Sequence, residues 1–209
     1  MDSKTDIPYD LLMKIQTGTM SYSYKGIETL KNPFDIALYS LLIWEQKPAC
    51  ILELGSWEGG GAVWLADQMY LAGIEPNVVS VDIKKIELED PRVQFLQGDV
   101  YELEKTFTDE FLASLPRPFM VIEDADHSKK STLAAMNFFA DILQSGEYML
   151  IEDGILEAMK VAEDYGGGPT AAIDSFLNDR PGVFEVDRRY CDYYGHNVTW
   201  NTNGFLKKL

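Results

Sequence analysis

The sequence predicts an α/β protein with a doubly wound, mostly parallel sheet of seven strands, helices on both faces and an antiparallel C-terminal edge. Short apolar runs alternate with longer helical segments, which is typical of successive β-α-β units. The runs contain few polar residues, as expected for strands buried on both faces of a parallel sheet. The predicted strands cover residues 49–54, 77–82, 93–97, 118–123, 147–152, 182–187 and 197–206.

The helices are predicted from their apolar residues and from the signals at their ends. The first begins at Asn32-Pro33, because proline fits the first helical position, where a missing N–H costs little. It ends near Pro48. The last predicted strand contains an Asn-Gly turn signal at residues 203–204, so the chain is expected to finish with a hairpin-like edge. Further helices are predicted over residues 61–73, 102–115, 128–144 and 170–178.

Length and composition predict one domain preceded by a short segment. The chain has 209 residues, of which 46% are apolar, and this is enough for a full core. Residues 1–32 are polar and mixed in character, so we expect them to form an N-terminal cap segment. Residues 33–209 are expected to form the functional domain.

The charge of the chain argues against two classes of partner. A net charge of -16 repels phosphate backbones and anionic membranes, so we expect no nucleic acid and no membrane as partners. No apolar stretch approaches the ~20 residues that span a bilayer, and the N-terminal residues lack the pattern of a signal peptide. Two cysteines, Cys50 and Cys191, are too few for a disulfide framework. We therefore expect a cytoplasmic protein.

A glycine-rich turn follows the first strand of the predicted sheet. Glycines in such a turn let the backbone approach a ligand closely, and the turn leads into a helix as at a ligand-binding switch point. The spacing differs from the dinucleotide pattern G-x-G-x-x-G. Glu53 precedes the turn, and its negative charge suits a cationic ligand. The candidate ligand-binding residues of this turn are Glu53, Gly55, Ser56, Gly59 and Gly60.

The ends of the next two strands carry acids that suit a nucleoside. Asp82 ends the second strand, where a carboxylate can accept hydrogen bonds from both ribose hydroxyls. Gly98 and Asp99 follow the third strand, at the position where an adenine would lie. Either feature alone also fits a tight turn or a solvated cap. Together, at successive strand ends, they predict a nucleoside ligand. The negative charge of Glu53 favours a cationic nucleoside, S-adenosylmethionine.

A second cluster of acids follows the fourth and fifth strands. Asp124 comes directly after one strand, and Glu152 and Asp153 end the other. Neighbouring parallel strands end at the same edge of a sheet, so these carboxylates should lie close together and repel unless a cation cancels their charge. Oxygen ligands favour Mg²⁺ over Zn²⁺. The alternative is helix capping by Asp126, Ser128 or Asp153.

One of the two histidines lies beside this cluster. His127 follows Asp124 by three residues at the predicted active edge, so we expect it to act as a general base, with Asp124 beside it in the catalytic site. A structural histidine is the alternative. His196 is expected to lie in a loop.

These motifs resemble the cephalosporin hydroxylase/rhamnosyl O-methyltransferase family, a branch of the class I S-adenosylmethionine-dependent methyltransferases. The combination of Asp-x-x-His with Glu-Asp is the most specific part of the resemblance. The matching segments are Tyr24-Lys-Gly26, Asn32-Pro-Phe-Asp35, Ile51-Leu-Glu-Leu-Gly-Ser-Trp-Glu-Gly-Gly-Gly61, Asp124-Ala-Asp-His-Ser128, Gly146-Glu-Tyr-Met-Leu-Ile-Glu-Asp153, Gly168-Pro169, Asn197-Val-Thr199 and Asn203-Gly-Phe-Leu206.

The resemblance implies a Rossmann-like methyltransferase domain over residues 33–209 that uses S-adenosylmethionine and Mg²⁺. It implies that Asp124, Glu152 and Asp153 hold the metal and that His127 is the base. We also expect Asp124 to contact the cofactor. The implied acceptor is a small molecule with adjacent hydroxyls, such as a sugar or a polyketide-type natural product, and a homo-oligomer is expected.

Two other functions fit the same residues. A metal-dependent hydrolase would use the acids without a sulfonium ligand, and a non-catalytic module would bind the nucleoside without turnover. The aromatic side chains near the C-terminus either line the acceptor site or pack the last strands. They are Tyr190, Tyr193, Tyr194 and Trp200.

Overall fold

A computed structural model describes all 209 residues and contains a central sheet of seven strands in the order β5-β4-β3-β6-β7-β9-β8. Five neighbouring strands, β5, β4, β3, β6 and β7, are parallel to one another, whereas β9 is antiparallel to both β7 and β8. The predicted fold, including its antiparallel C-terminal edge, is confirmed. The strands are β1 (Ser23–Tyr24), β2 (Ile27–Glu28), β3 (Cys50–Leu54), β4 (Val78–Asp82), β5 (Val93–Gln97), β6 (Phe119–Glu123), β7 (Tyr148–Ile151), β8 (Phe184–Val186) and β9 (Phe205–Lys208).

Helices cover both faces of the sheet because successive strand residues point to opposite sides. On β3, Leu52 and Leu54 face a core shared with α6 and α7, whereas Ile51 faces a core shared with α2 and α3. The helices are α1 (Tyr9–Thr19), α2 (Pro33–Gln46), α3 (Gly60–Leu71), α4 (Leu103–Thr106), α5 (Asp109–Ser114), α6 (Lys129–Ala140), α7 (Gly168–Asp179) and α8 (Arg188–Cys191). None of them is long and apolar enough to cross a membrane.

The strand register brings the ends of the central strands to one edge. Leu54 pairs with Val81 on one side and with Glu123 on the other, and Glu123 pairs in turn with Ile151. The residues that follow these strands therefore leave the sheet side by side. This edge carries the candidate site.

Two predicted elements differ from the structure. The helix expected over 102–115 is divided into α4 and α5, because Thr108 caps α5 by accepting a hydrogen bond from Phe111 N at 3.2 Å and so starts a new helix. The strand expected over 197–206 begins only at Phe205. Before it the chain is an irregular buried loop, in which Asn197 and Asn203 have left-handed backbone angles that a strand cannot accommodate.

The N-terminal segment packs on this C-terminal loop. Thr5 Oγ1 donates to the Asn197 carbonyl at 2.7 Å, Asn197 Nδ2 donates to the Lys4 carbonyl at 2.9 Å, and Asn203 Nδ2 donates to the Asp2 carbonyl at 3.0 Å. Side-chain amides thus donate hydrogen bonds to backbone carbonyls of a segment that belongs to no sheet. The division into a cap segment (1–32) and a domain (33–209) stays a prediction.

We predict that Phe139→Ala destabilises the protein by about 3–5 kcal/mol, because a large side chain is lost from a packed core. Phe139 is fully buried and contacts the rings of Phe107 and Phe138. Chemical denaturation measures the free energy of unfolding. The control is Tyr70→Ala on α3, where the side chain is 69% exposed and a change within about 0.5 kcal/mol is expected. Equal losses for both variants would contradict the described core.

Candidate functional site

Two adjoining cavities open at the carboxyl edge of the sheet, and Gly55, Asp82 and Ala125 line both of them. The first encloses about 200 Å³ between the ends of β3, β4 and β5 and the loop after β6. The second encloses about 330 Å³ and is lined by acids, by residues of the N-terminal segment and by Trp200. This is the edge at which ligands bind in open α/β sheets.

Four predicted cofactor residues line the first cavity: Gly55, Asp82, Gly98 and Asp99. Asp82 Oδ2 accepts hydrogen bonds from the backbone N–H groups of Ser56 and Trp57, both at 3.0 Å, so this acid also fixes the glycine-rich turn. The sequence did not single out Tyr101, which lines the same cavity. It follows Asp99 in a short 3-10 turn that carries no separate motif.

The glycines of the turn serve two different purposes. Gly55 has a φ of 99°, and a Cβ there would collide with the Asp124 carbonyl, so only glycine allows the two strand ends to approach. Gly59 and Gly60 line neither cavity. A Cβ on Gly59 would lie 2.8 Å from Leu88, and one on Gly60 would lie 2.6 Å from the Glu28 carbonyl. These two glycines therefore permit packing behind the cavities.

Glu53 and Ser56 are buried behind the cavities and line neither of them. Ser80 Oγ donates a hydrogen bond to Glu53, and the hydroxyls of Ser56 and Ser80 are 2.7 Å apart. Burial raises the pKa of Glu53 to about 7, against the opposing charge of Lys31 and the hydrogen bond from Ser80. The structure thus places Glu53 in a buried network under the turn, rather than at the cavity wall.

In the second cavity, Asp124, His127 and Asp153 offer ligand atoms that all lie within 4.8 Å of one another. His127 Nδ1 is 3.1 Å from Asp153 Oδ2 and 3.8 Å from Asp124 Oδ1, and its Nε2 has no such acidic neighbour. Burial opposes the charged imidazolium, but Asp153 and Asp124 outweigh it and raise the pKa of His127. The predicted metal ligands and the predicted base therefore share one cavity.

Glu152 faces a cation that belongs to the protein itself. Lys31 Nζ lies 2.5 Å from Glu152 Oε1 and 2.6 Å from Asp124 Oδ2, and the Tyr39 hydroxyl donates to the same Glu152 oxygen at 2.8 Å. Burial opposes the charged lysine, but Asp124 and Glu152 outweigh it and raise the pKa of Lys31 well above its usual range. Glu152 Oε2 makes no hydrogen bond.

Sequence reasoning did not select Lys31. It lies in a polar segment directly before the helix-capping residue Asn32, and nothing in the local pattern distinguishes it from a surface lysine. Only the tertiary structure shows that its side chain enters the acid cluster.

Of the three residues considered as helix caps, only Ser128 caps a helix directly. Ser128 caps α6, since its hydroxyl accepts from Ser131 N at 3.1 Å. Asp126 accepts from Ser128 N at 2.9 Å and supports this cap. Asp153 precedes a 3-10 turn but makes no capping hydrogen bond, and burial raises its pKa while His127 opposes that change. Asp153 is therefore available to the cavity.

Backbone strain is concentrated around the second cavity. Leu30, Trp57, His127 and Asp153 all line it and all have φ between 51° and 59°. Left-handed angles cost such residues of the order of 1–2 kcal/mol each. Strain of this kind persists where the surrounding structure holds it, and it collects at functional sites.

Only one of the four C-terminal aromatic candidates lines either of these two cavities. Trp200 lies in the wall of the second cavity, and its indole N–H donates to Gln16 Oε1 at 2.7 Å. Tyr190 is buried in the core against Phe205, with ring centroids 5.6 Å apart. Tyr193 and Tyr194 are exposed and line neither cavity.

The donor set fits a hard divalent cation. Asp124 and Asp153 present carboxylate oxygens to the same space together with His127, whereas Glu152 lines the same cavity without belonging to this close group. Four carboxyl side chains line the cavity and only two basic ones do, so acidic groups outnumber basic groups there. Oxygen donors with such charge are typical of Mg²⁺ sites.

A family model described as Rhamnosyl O-methyltransferase/CmcI matches residues 16–209. The chain is 33% identical to the rhamnosyl O-methyltransferase of Mycobacterium leprae (strain TN) over 192 residues, which cover 88% of this chain and 82% of that relative. It is 30% identical to the rhamnosyl O-methyltransferase of Mycobacterium tuberculosis (strain ATCC 25618 / H37Rv) over 194 residues, which cover 88% and 77% of the two chains.

Solved structures share the fold. A structure of CmcI described with Mg and SAM aligns with 100% of this chain and 88% of its own, with a TM-score of 0.72 and 24% identity. The MycE methyltransferase in complex with Mg, SAH and mycinamycin VI aligns with 83% of this chain and 48% of its own, with a TM-score of 0.52 and 16% identity.

We predict that Gly55→Ala destabilises the protein by at least about 3 kcal/mol, because the added methyl group meets the Asp124 carbonyl as well as imposing backbone strain. The matched control is Gly73→Ala. Gly73 also has a positive φ, of 72°, but nothing lies within 4 Å of an added Cβ, so only the strain of about 1 kcal/mol is expected. Thermal and chemical denaturation measure the loss of stability in each variant. Equal effects would show that the close contact is absent.

Proposed function

The chain belongs to the Rhamnosyl O-methyltransferase/CmcI family, and on that premise we propose that it transfers a methyl group from S-adenosylmethionine to a hydroxyl of a small molecule with the help of Mg²⁺. The family and the enzyme class predicted from the sequence, an O-methyltransferase, are confirmed by these matches. The observation that carries the finer proposal is the meeting of Asp124, His127 and Asp153 in a cavity that adjoins the glycine-rich turn.

We place S-adenosylmethionine in the first cavity, with its methionine end towards the second. Gly98, Asp99 and Tyr101 would surround the adenine, and the Asp82 carboxylate would accept from the ribose hydroxyls. Gly55 lines both cavities and leaves room for the ligand to pass from one to the other. The CmcI and MycE structures that share this fold are described with SAM and with SAH, respectively.

We assign Mg²⁺ to Asp124, Glu152 and Asp153. The ion would supply Lewis-acid activation of the acceptor hydroxyl and would orient two adjacent oxygens. The three carboxylates follow β6 and β7, whose parallel pairing sets their spacing. Glu152 would contribute through its carboxylate, of which Oε1 accepts hydrogen bonds from Lys31 and Tyr39 and Oε2 accepts none.

His127 is the proposed base. Its Nδ1 faces Asp153 Oδ2 at 3.1 Å, and a carboxylate in this position orients the ring and leaves Nε2 to accept a proton. Bound S-adenosylmethionine would supply the methyl group, whose bond to sulfur would break as the acceptor oxygen bonds to the methyl carbon, leaving S-adenosylhomocysteine. His127 Nε2 would accept the proton that the acceptor hydroxyl loses.

The acceptor class we propose is a sugar or natural-product glycoside with adjacent hydroxyls. Two adjacent oxygens suit a metal site built from carboxylates, and the curated relatives are named for a rhamnosyl acceptor. The wall of the second cavity combines these acids with Trp57, Tyr165 and Trp200, which offer flat surfaces to the apolar face of a sugar ring. The cytoplasmic location and the homo-oligomer stay predictions from the sequence.

We predict that turnover stops in excess chelator and returns when Mg²⁺ is restored. Asp124→Asn should weaken Mg²⁺ binding at least about tenfold while leaving S-adenosylhomocysteine binding largely intact. Formation of S-adenosylhomocysteine with a panel of rhamnosides and other vicinal-diol glycosides measures turnover, and calorimetry measures both affinities. The control is Asp141→Asn, a side chain that is 74% exposed. Full activity in chelator would refute the metal proposal.

We predict that His127→Ala lowers kcat by about 10²–10⁴-fold, because the acceptor loses its base. Binding of S-adenosylhomocysteine should change little, since His127 does not line the first cavity. The matched control is His196→Ala, which removes the other histidine and lies beside Asp192, away from both cavities. An unchanged rate for His127→Ala at neutral pH would exclude it as the base. Binding without any turnover in the wild type would favour a non-catalytic module.

A further inference from the structure

A buried lysine lies among the proposed metal ligands, and the proposed function gives it no role. The Lys31 side chain is only 6% exposed, and its ammonium contacts Asp124 Oδ2 and Glu152 Oε1. These are two of the three carboxylates assigned to Mg²⁺. A positive charge of the protein therefore neutralises part of the negative charge on two carboxylates that a hard cation would also use.

We propose that Lys31 is an internal counter-cation that competes with the divalent ion for Asp124 and Glu152 and thereby sets the metal affinity of the site. The inference rests on the proposed function, because it takes Asp124, Glu152 and Asp153 as the metal ligands. Lys31 is a positioning residue in this scheme and exchanges no proton with the substrate.

The surroundings of Lys31 hold it in this position. The next residue, Asn32, caps α2 by accepting from the backbone N–H groups of Phe34 and Asp35, both at 3.0 Å, so the lysine backbone is anchored at a helix end. The methylene chain passes close to the start of α3, where a Cβ on Gly61 would lie 3.9 Å from Lys31 Cε. The backbone anchor and this contact place the side chain on the wall of the second cavity, where its ammonium faces the acids.

A hydrogen-bond chain orients Glu152 towards the lysine. Asn201 Nδ2 donates to the Tyr39 hydroxyl at 2.8 Å, and that hydroxyl donates to Glu152 Oε1 at 2.8 Å. The same oxygen accepts from Lys31. Tyr39 and Asn201 thus fix the carboxylate oxygen that faces the ammonium, so the ion pair is part of a built arrangement and does not arise from a flexible side chain alone.

Two opposite effects on the protein follow from this charge. Without metal, Lys31 offsets the repulsion between buried carboxylates, and removing one partner of a buried ion pair is strongly destabilising. With metal, the ammonium repels the divalent ion at short range in a poorly solvated place. Removal of the lysine charge should therefore weaken the metal-free protein and strengthen its binding of Mg²⁺. A purely structural lysine would produce only the first effect.

The experiment is a calorimetric titration of the full chain with MgCl₂ at constant ionic strength, joined to thermal denaturation with and without Mg²⁺. Lys31→Met removes the charge and keeps a side chain of similar length. The matched control is Lys25→Met, which makes the same change in net charge at an exposed lysine that pairs with Asp67 at 2.5 Å. Lys31→Met is expected to bind Mg²⁺ about tenfold more tightly or better, with a lower metal-free Tm and a larger rise of Tm on adding Mg²⁺. Lys25→Met should match the wild type.

Equal or weaker Mg²⁺ binding by folded Lys31→Met would overturn the inference and leave the proposed function intact. If neither protein binds Mg²⁺, the proposed metal site fails and the inference fails with it. If only Lys31→Met binds, the inference stands and the magnesium dependence of the wild type fails.

A second variant covers the case in which Lys31→Met does not fold. Lys31→Gln removes the charge, keeps an amide that can donate to the carboxylates and leaves all three proposed ligands in place, so it is expected to fold and to bind Mg²⁺ more tightly than the wild type. If folded Lys31→Gln binds Mg²⁺ no more tightly than the wild type, the inference is overturned. If Lys31→Gln also fails to fold with and without MgCl₂, Lys31 is needed for the fold itself and the inference is overturned.

Discussion

The central constraint on this protein is the repulsion between carboxylates that neighbouring parallel strands bring to one edge. Leu54 pairs with Glu123, and Glu123 pairs with Ile151. This register fixes the positions at which Asp124 and Glu152 follow their strands. Buried carboxylates at such spacing raise one another's pKa and oppose folding unless cations oppose them. The counterion comes from outside the sheet, because Lys31 lies in the segment that precedes α2.

One buried aspartate connects the pieces that surround the site. Asp35, in the first turn of α2, accepts hydrogen bonds from Asn32 Nδ2 at 2.5 Å, from Trp200 N at 3.0 Å and from the Thr199 hydroxyl. Burial raises its pKa to about 7, and the donors from Thr199 and Asn32 act in the opposite direction. Asp35 thereby joins the helix start to the C-terminal loop, and this junction supports both Lys31 and the indole of Trp200 in the cavity wall.

The sequence predicts those parts of the site that follow directly from strand ends. Asp82, Asp124 and Asp153 each come next to a short apolar run, and the topology of a parallel sheet brings such positions together. Lys31 could not be found in this way, since it owes its place to contacts over a long stretch of chain. Strand alternation does not reveal that Glu53 is buried behind the glycine turn, and its contact with the ligand stays a prediction. The predicted strand over 197–206 is wrong before Phe205, because left-handed asparagines leave no periodic signal in the sequence.

The separation between the lysine and its partners has a kinetic consequence. Lys31 is 93 residues from Asp124 and 121 residues from Glu152 along the chain. Closing a loop of that length costs entropy, so we expect these contacts to form after the pairing of neighbouring strands. The active edge would then carry uncompensated charge until the N-terminal segment docks. Ionic strength, which screens that repulsion in a partly open chain, should influence how fast the edge closes more than how stable it is once closed.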